Sequence, residues 1–396
     1  MKRISRIWVL ALSALMLFYL FGCSEKIESS PWERILYTKL GENAHAFSNE
    51  GYYYMNNDGF LCFLDLKNGG NVILCSKTAC LHNKEPDVFK RRECEAMIGA
   101  KNMFFWDNGL YYLDLDMYGY QLYRRAADGT AEEHIMTLGE NYIGKDTSIS
   151  ILSLALAEGI LYYQADISEE NNIGQNETIG EWSYNVICRV DLRSRKETEI
   201  VHEEDNTLNM CAARNDAVLY TSCENIDSTD PNYAEKLKSV KVRLEQWNLQ
   251  TGNSDILWEA AREELYQFVG FFNGMLFYTD MDAALWSYEL ETGKIAAAGP
   301  EHTVKVLNDR YLISYREPRI RDIYDIQKGT FIENAFSDTS LDVQDMGKLG
   351  FIMKRTNRDA NDKNINAIYS FVAFDSLADG LQKTDVLDFY TNWFGQ

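Results

Sequence analysis

Proline is scarce in this chain, with five in 396 residues, and histidine is equally rare. Few prolines suit many short paired strands, because proline removes a ladder donor. A basic surplus is also absent. Against 60 Asp and Glu stand 39 Lys and Arg, a formal charge of −21. A phosphate backbone must be met by clustered cations, so this balance excludes nucleic acid as a partner. It argues equally against broad adhesion to anionic lipid. No Gly-rich phosphate loop, no His-Glu-x-x-His helix and no Gly-x-Ser-x-Gly elbow occurs. The nearest string to a sialidase repeat, Asn253-Ser254-Asp255-Ile256-Leu257-Trp258, lacks the required glycine. His45, His82, His134, His202 and His302 are scattered, and none stands beside a nucleophile. No catalytic residue is therefore assigned. Paired carboxylates of the glycosidase kind stay open, because 60 acids offer too many pairs.

Hydrophobic residues make up 46% of the chain, and 8 Trp, 24 Tyr and 19 Phe supply unusual aromatic bulk. That is enough to build a sizeable core and excludes global disorder.

The N-terminus reads as an export signal. Lys2, Arg3 and Arg6 precede an uncharged run from Ile7 to Phe21. The run is short of the roughly 20 apolar residues a stable span needs. It ends in Leu20-Phe21-Gly22-Cys23, which resembles a bacterial lipobox, although Phe21 replaces the usual small or β-branched residue. That resemblance implies cleavage before Cys23, lipidation of its thiol, and a membrane partner. An ordinary signal or an uncleaved anchor is the competing reading. Residues 1–22 are read as signal, 23–33 as lipidated cysteine and tether, and 34–396 as one domain. Loss of the signal leaves 36 basic against 60 acidic residues, a charge of −24.

Internal repetition decides the fold class. A turn followed by an aromatic or aliphatic strand recurs at Glu50-Gly51, Asn108-Gly109, Glu158-Gly159, Asn215-Asp216, Asn273-Gly274, Asn308-Asp309 and, more raggedly, Leu349-Gly350. Gly, Asn and Asp accept the positive φ of tight hairpins. A strand precedes each turn, and a third follows. In four copies the third strand runs into a second turn, Asp65-Leu66-x-x-Gly69, Asn248-Leu249-x-x-Gly252, Glu289-Leu290-x-x-Gly293 and Asp325-Ile326-x-x-Gly329. Each repeat is then a four-stranded meander. Radial stacking hides the exposed edges and apolar faces of such meanders. The expected fold is all-β, a propeller of about seven blades, with six or eight also compatible. Arg34–Lys39 is expected to supply the outer strand of the last blade, with Val386–Phe394 as the alternative. Ala260–Tyr266 and Tyr233–Val240 are read as short helical turns at most.

Strand direction alternates within a blade, so turns between first and second strands share a face with those between third and fourth. Connections from second to third strands and from blade to blade share the other. Three polar insertions, Ser168–Glu181, Glu224–Ser239 and Thr356–Asn366, fall on this second face with Cys75–Cys94. Function concentrates on loops held by a rigid scaffold. Asp359-x-Asn361 has part of a calcium loop without its closing acid.

One local motif carries site chemistry: Cys75-x4-Cys80-x-His82-x11-Cys94. Three thiolates and an imidazole match the donor set of a structural zinc site, although the spacing is unlike the common fingers. A disulfide among these cysteines, or unlinked thiols, are the other readings. Cys62 and Cys188 occupy matching third-strand positions and read as core. Register about the fourth hairpin sets Cys211 opposite Tyr220, so a Cys211–Cys223 bridge would need a bulge.

The lipobox, the Asp-Leu-x-x-Gly turns and the Cys/His segment together resemble secreted β-propeller lipoproteins of anaerobic Gram-positive bacteria, a group mostly of unknown function. The resemblance implies an extracytoplasmic, lipid-anchored propeller. The expected role is non-catalytic binding of a protein or glycan through the long-loop face. A carbohydrate-active enzyme and an envelope-assembly scaffold are the alternatives. A continuous exposed apolar patch would favour a protein ligand.

Overall fold

The computed structural model describes residues 31–37, 44–144, 147–171, 180–226, 229–317, 320–332, 341–358, 364–378, 380–381 and 386–393. The signal and Cys23 lie outside these residues, as does Asp359-x-Asn361.

Strand pairing is local almost throughout. Seven meanders of four antiparallel strands follow one another along the chain. Blade 1 comprises His45–Phe47, Gly51–Met55, Leu61–Asp65 and Asn71–Ile73, and blade 2 Ala100–Trp106, Gly109–Asp116, Gly119–Ala126 and Glu133–Leu138. Blade 3 is longer, built from Thr147–Ala157, Ile160–Asn171, Gly180–Asp191 and Lys196–Glu203. Blade 4 uses Asn206–Arg214, Ala217–Glu224, Lys241–Asn248 and Asn253–Ala261, and blade 5 Gln267–Phe272, Met275–Thr279, Leu285–Glu289 and Ile295–Ala297. Blade 6 holds Thr303–Val306, Tyr311–Glu317, Ile320–Asp325 and Thr330–Phe331, and blade 7 Leu341–Met346, Gly350–Arg358, Asn364–Ala373 and Val386–Trp393. The propeller and its sevenfold repeat are as the turn pattern foretold.

Turn chemistry explains why these residues pair. At the first hairpins of blades 2, 3 and 5, Asn108, Glu158 and Asn273 adopt positive φ just before a glycine, the geometry that a two-residue hairpin requires. The second turns of blades 1, 4, 5 and 6 are copies of each other. In each, the glycine N–H donates 2.8 Å to the carbonyl four residues earlier, at Asp65, Asn248, Glu289 and Asp325. Those glycines lie at φ 66–71°, where an L side chain is strained.

Every interface between neighbouring blades has its own apolar core. Phe104, Leu113 and Leu122 of blade 2 pack on Leu154, Tyr163 and Cys188 of blade 3. Tyr52, Tyr54 and Leu64 of blade 1 pack on Ile352 and Phe371 of blade 7. Each fully buried side chain of this size contributes about 1.5–3 kcal/mol. A β-bulge recurs in the innermost strand of blades 2 to 7, at Lys101, Leu152, Cys211, Val269, Val304 and Gln344. An extra residue there sharpens local twist where strands crowd round the axis.

Two sequence expectations about ring closure part company. Blade 7 takes its outer strand from Val386–Trp393, so the C-terminal alternative holds. The N-terminal strand, Glu33–Tyr37, does not join blade 7. It lies inside the ring, paired antiparallel with the innermost strands of blades 3 and 4. Its partners are Ala155 and Leu154 on one side and Ala213 and Ala212 on the other. An innermost strand has one unpaired edge facing the axis, and an extra strand satisfies two such edges at once.

Pairing adds detail at three further places. The Ser168–Glu181 and Thr356–Asn366 insertions lengthen their hairpins, with Glu170 opposite Glu181 and Asn357 opposite Asn366; their tips lie outside the described residues. Met210, not Cys211, faces Tyr220, because Cys211 is itself the bulge residue. Ala260–Tyr266 finishes a strand and turns without a helix, whereas Tyr233–Ser239 is helical.

Candidate functional site

The long-loop face carries the chemistry. Its centrepiece is the connection from blade 1 to blade 2, which leaves the outer strand after Ile73 and returns through Met97. Phe60, beside the second-to-third turn of blade 1, bridges to Met97, and Leu61 N–H donates 2.7 Å to Ala96 O. The connection thus leans on the same face as that turn. Phe60, Cys94 and Ala96 form a small core, closed by Ile73, Cys75, Cys80 and Met97. Polar contacts tie the two ends of the loop. Ser76 Oγ donates 2.6 Å to Glu95, Lys77 Nζ donates 2.6 Å to Glu93 O, and Arg91 holds Glu85 O.

Within this loop the four predicted donors converge. The ligating atoms of Cys75, Cys80, His82 and Cys94 all lie within 4.8 Å of one another. His82 Nδ1 sits 3.5 Å from Cys94 Sγ. His82 reaches that position from a left-handed backbone, φ 50°, a conformation that costs a non-glycine residue and so needs support from its surroundings. Part of that support is Phe60, whose ring meets the imidazole edge-on at 6.2 Å. The thiols differ in setting. A hydrogen bond from the His82 backbone N–H holds Cys80 below the usual thiol range. Burial pushes Cys94 up to about 12, opposed by the Ala96 N–H. No described cysteine forms a disulfide.

The remaining cysteines behave as core. Cys62 and Cys188 are buried, and burial raises both thiols, Cys62 to about 11 and Cys188 to about 12.

The same face exposes apolar side chains that sequence reading passed over. Phe89 is 78% exposed and Leu81 54%, both on the Cys/His loop. Met117 is 85% exposed and Tyr118 67%, at the tip of blade 2's central hairpin, with Leu115 beside them. Ile143, from the next inter-blade connection, packs directly over Gly119 of that hairpin. One signal was legible. A hairpin tip reading Asp116-Met117-Tyr118-Gly119 puts two bulky side chains where polar residues are the rule. The opposite face exposes Leu349.

A cleft also opens between blades 1 and 7, lined by His45, Tyr52, Tyr54, Gln344, Tyr369 and Tyr390. It encloses about 20 Å³, room for about one water molecule. His45 Nδ1 lies 2.9 Å from Asp345 Oδ2 there, linking the innermost strands of the first and last blades.

No protein-family model matches the chain, and no curated protein matches it either. Solved structures do. An acylaminoacyl peptidase in complex with Z-Gly-Gly-Phe-chloromethyl ketone is 10% identical, with a TM-score of 0.53, over 85% of this chain and 51% of that one. Dipeptidyl peptidase 4 from Porphyromonas gingivalis is 10% identical, with a TM-score of 0.50, over 92% of this chain and 60% of its own. The β-propeller domain of the Trilobed protease from Pyrococcus furiosus matches at 10% identity and TM-score 0.47, over 87% and 97%. The chain spans about half to three-fifths of the two peptidases, and likeness at this identity is a likeness of fold.

Proposed function

We propose that this chain is an extracytoplasmic, lipid-anchored propeller that binds a protein partner through its long-loop face, without chemistry of its own. The observation that carries the reading is the set of exposed apolar side chains on that face, Leu81, Phe89, Leu115, Met117 and Tyr118. Water-facing apolar groups gathered on one side of a propeller stabilise an interface when covered. A glycan site would instead need polar groups converging on a cleft large enough for a sugar, and the blade 1–7 cleft is too small. The anchor at Cys23 rests on the lipobox and supplies the membrane as a second partner.

A pull-down from envelope extracts with the lipidated chain tests this. The unaltered protein retains a partner, the Phe89→Glu/Met117→Glu double variant retains at least tenfold less, and Leu349→Glu on the opposite face retains as much as wild type. A partner held equally by the double variant removes the reading. Retention of a glycan with turnover would favour the carbohydrate-active alternative.

A further inference from the structure

The geometry points to a structural zinc centre made by Cys75, Cys80, His82 and Cys94, which staples the loop bearing Leu81 and Phe89 to the edge of blade 1. A tetrahedral zinc with Zn–S of about 2.3 Å and Zn–N of about 2.05 Å sets sulfurs about 3.8 Å apart and sulfur and nitrogen about 3.6 Å apart. The Cys94–His82 separation of 3.5 Å meets that requirement, and the 4.8 Å limit on all four donors leaves only a small contraction. A disulfide needs sulfurs near 2.05 Å, and it would leave the imidazole and third thiol without a role.

The donor set is closed. Four protein ligands fill a tetrahedral shell, so the centre holds structure and offers no position for a substrate or an activated water. Soft thiolates select zinc over magnesium or calcium. Binding releases the thiol protons to solvent and changes no oxidation state.

The consequence concerns the apolar loop. Between Cys75 and Cys94 there are 18 residues with one 3-10 turn and one four-residue helix, too little regular structure to hold Phe89 and Leu81 in place. A metal bound only by the closed loop lowers the open population by the ratio of free zinc to Kd, about 100-fold at 100 times Kd. The staple thereby fixes the shape of the surface that the proposed partner would meet, but the centre itself is independent of that partner.

The full chain, purified under reducing conditions and stripped of metal, is given zinc alone and dialysed. One zinc per chain is expected to remain, and cobalt in its place is expected to show the intense visible absorption of tetrahedral thiolate ligation. Cys80→Ser and Cys94→Ser lose the metal while circular dichroism keeps the β signal. Trypsin, cutting at Arg91 and Arg92, nicks the metal-free protein about 100-fold faster than the protein held at a free zinc concentration 100 times Kd. Failure of the reduced wild type to hold zinc overturns the assignment, as does equal zinc in both variants. Such failure leaves the pull-down result unaffected.

Discussion

Asp325 shows how one residue serves both turn and blade. Its carboxylate is fully buried and accepts from Arg310 Nη2 at 2.7 Å and Nε at 3.1 Å, and from the Gln327 and Lys328 backbone N–H groups. The Arg310 hydrogen bonds hold it below the usual value of 3.8. A lowered folded pKa means stability that is present above 3.8 and lost as pH falls through the folded value. Glu197 is the converse. Burial raises its pKa, although Tyr163 and the Gly139 N–H donate to it. A raised folded pKa contributes stability that is full below the ordinary value of 4.5 and lost as pH rises through the folded value. Asp325→Ala should therefore cost about 2–3 kcal/mol at neutral pH, because a half-buried guanidinium loses its partner. It should also remove part of the acid-side loss. Glu197→Gln should hold or raise stability at neutral pH, since one amide oxygen can accept both donors. Urea midpoints at pH 3.5, 5 and 7.5 check both signs.

At the scale of the element, the N-terminal strand matters most. Glu33–Tyr37 runs from the tight-turn face inwards, since Glu33 pairs beside the end of blade 4's first strand and Tyr37 pairs deeper, with Leu154. Trp32 fixes its entry, its ring tilted against Phe271 at 6.0 Å and covered by Arg214 at 4.8 Å. A cation over an indole at this distance contributes about 0.5–1 kcal/mol. A strand paired on both edges has nowhere to turn a missing donor. Ile35→Pro is expected to lower stability by about 1–3 kcal/mol, read as a shift in urea midpoint. An unchanged midpoint would mean that the strand does not hold blades 3 and 4 together. Closure between blades 7 and 1 needs no shared strand, because Tyr52, Tyr54, Ile352 and Phe371 bury one another.

For the whole molecule, that strand sets orientation. The chain emerges from the ring on the tight-turn face at Trp32, nine residues from Cys23. Extended, those residues reach about 30 Å. A lipid on Cys23 would hold the tight-turn face towards the membrane and leave the long-loop face, with its Cys/His cluster and apolar side chains, pointing away. Palmitate-labelled protein in vesicles should therefore let a bulky amine reagent reach Lys84 and Lys90 on the long-loop face at least tenfold faster than Lys67 and Lys348 on the other. Equal rates, or the reverse, would sink this orientation; absence of palmitate label would remove the anchor instead.

Much of this was legible in the chain. Turn residues recurring before aromatic strands determined a propeller and its seven blades, because hairpin geometry depends on two to four neighbouring residues. The donors Cys75, Cys80, His82 and Cys94 were legible as a set, since they fall within twenty residues. Leu81 and Phe89 were not, for exposure is decided by what neighbouring blades leave uncovered. Nor was the bulge at Cys211, where crowding round the axis overrides simple register. The path of Glu33–Tyr37 lay furthest from reach. Nothing in those five residues names partners at Ala155 and Ala213, more than a hundred positions away; two vacant edges meeting inside the ring do, and they exist only once the ring has closed.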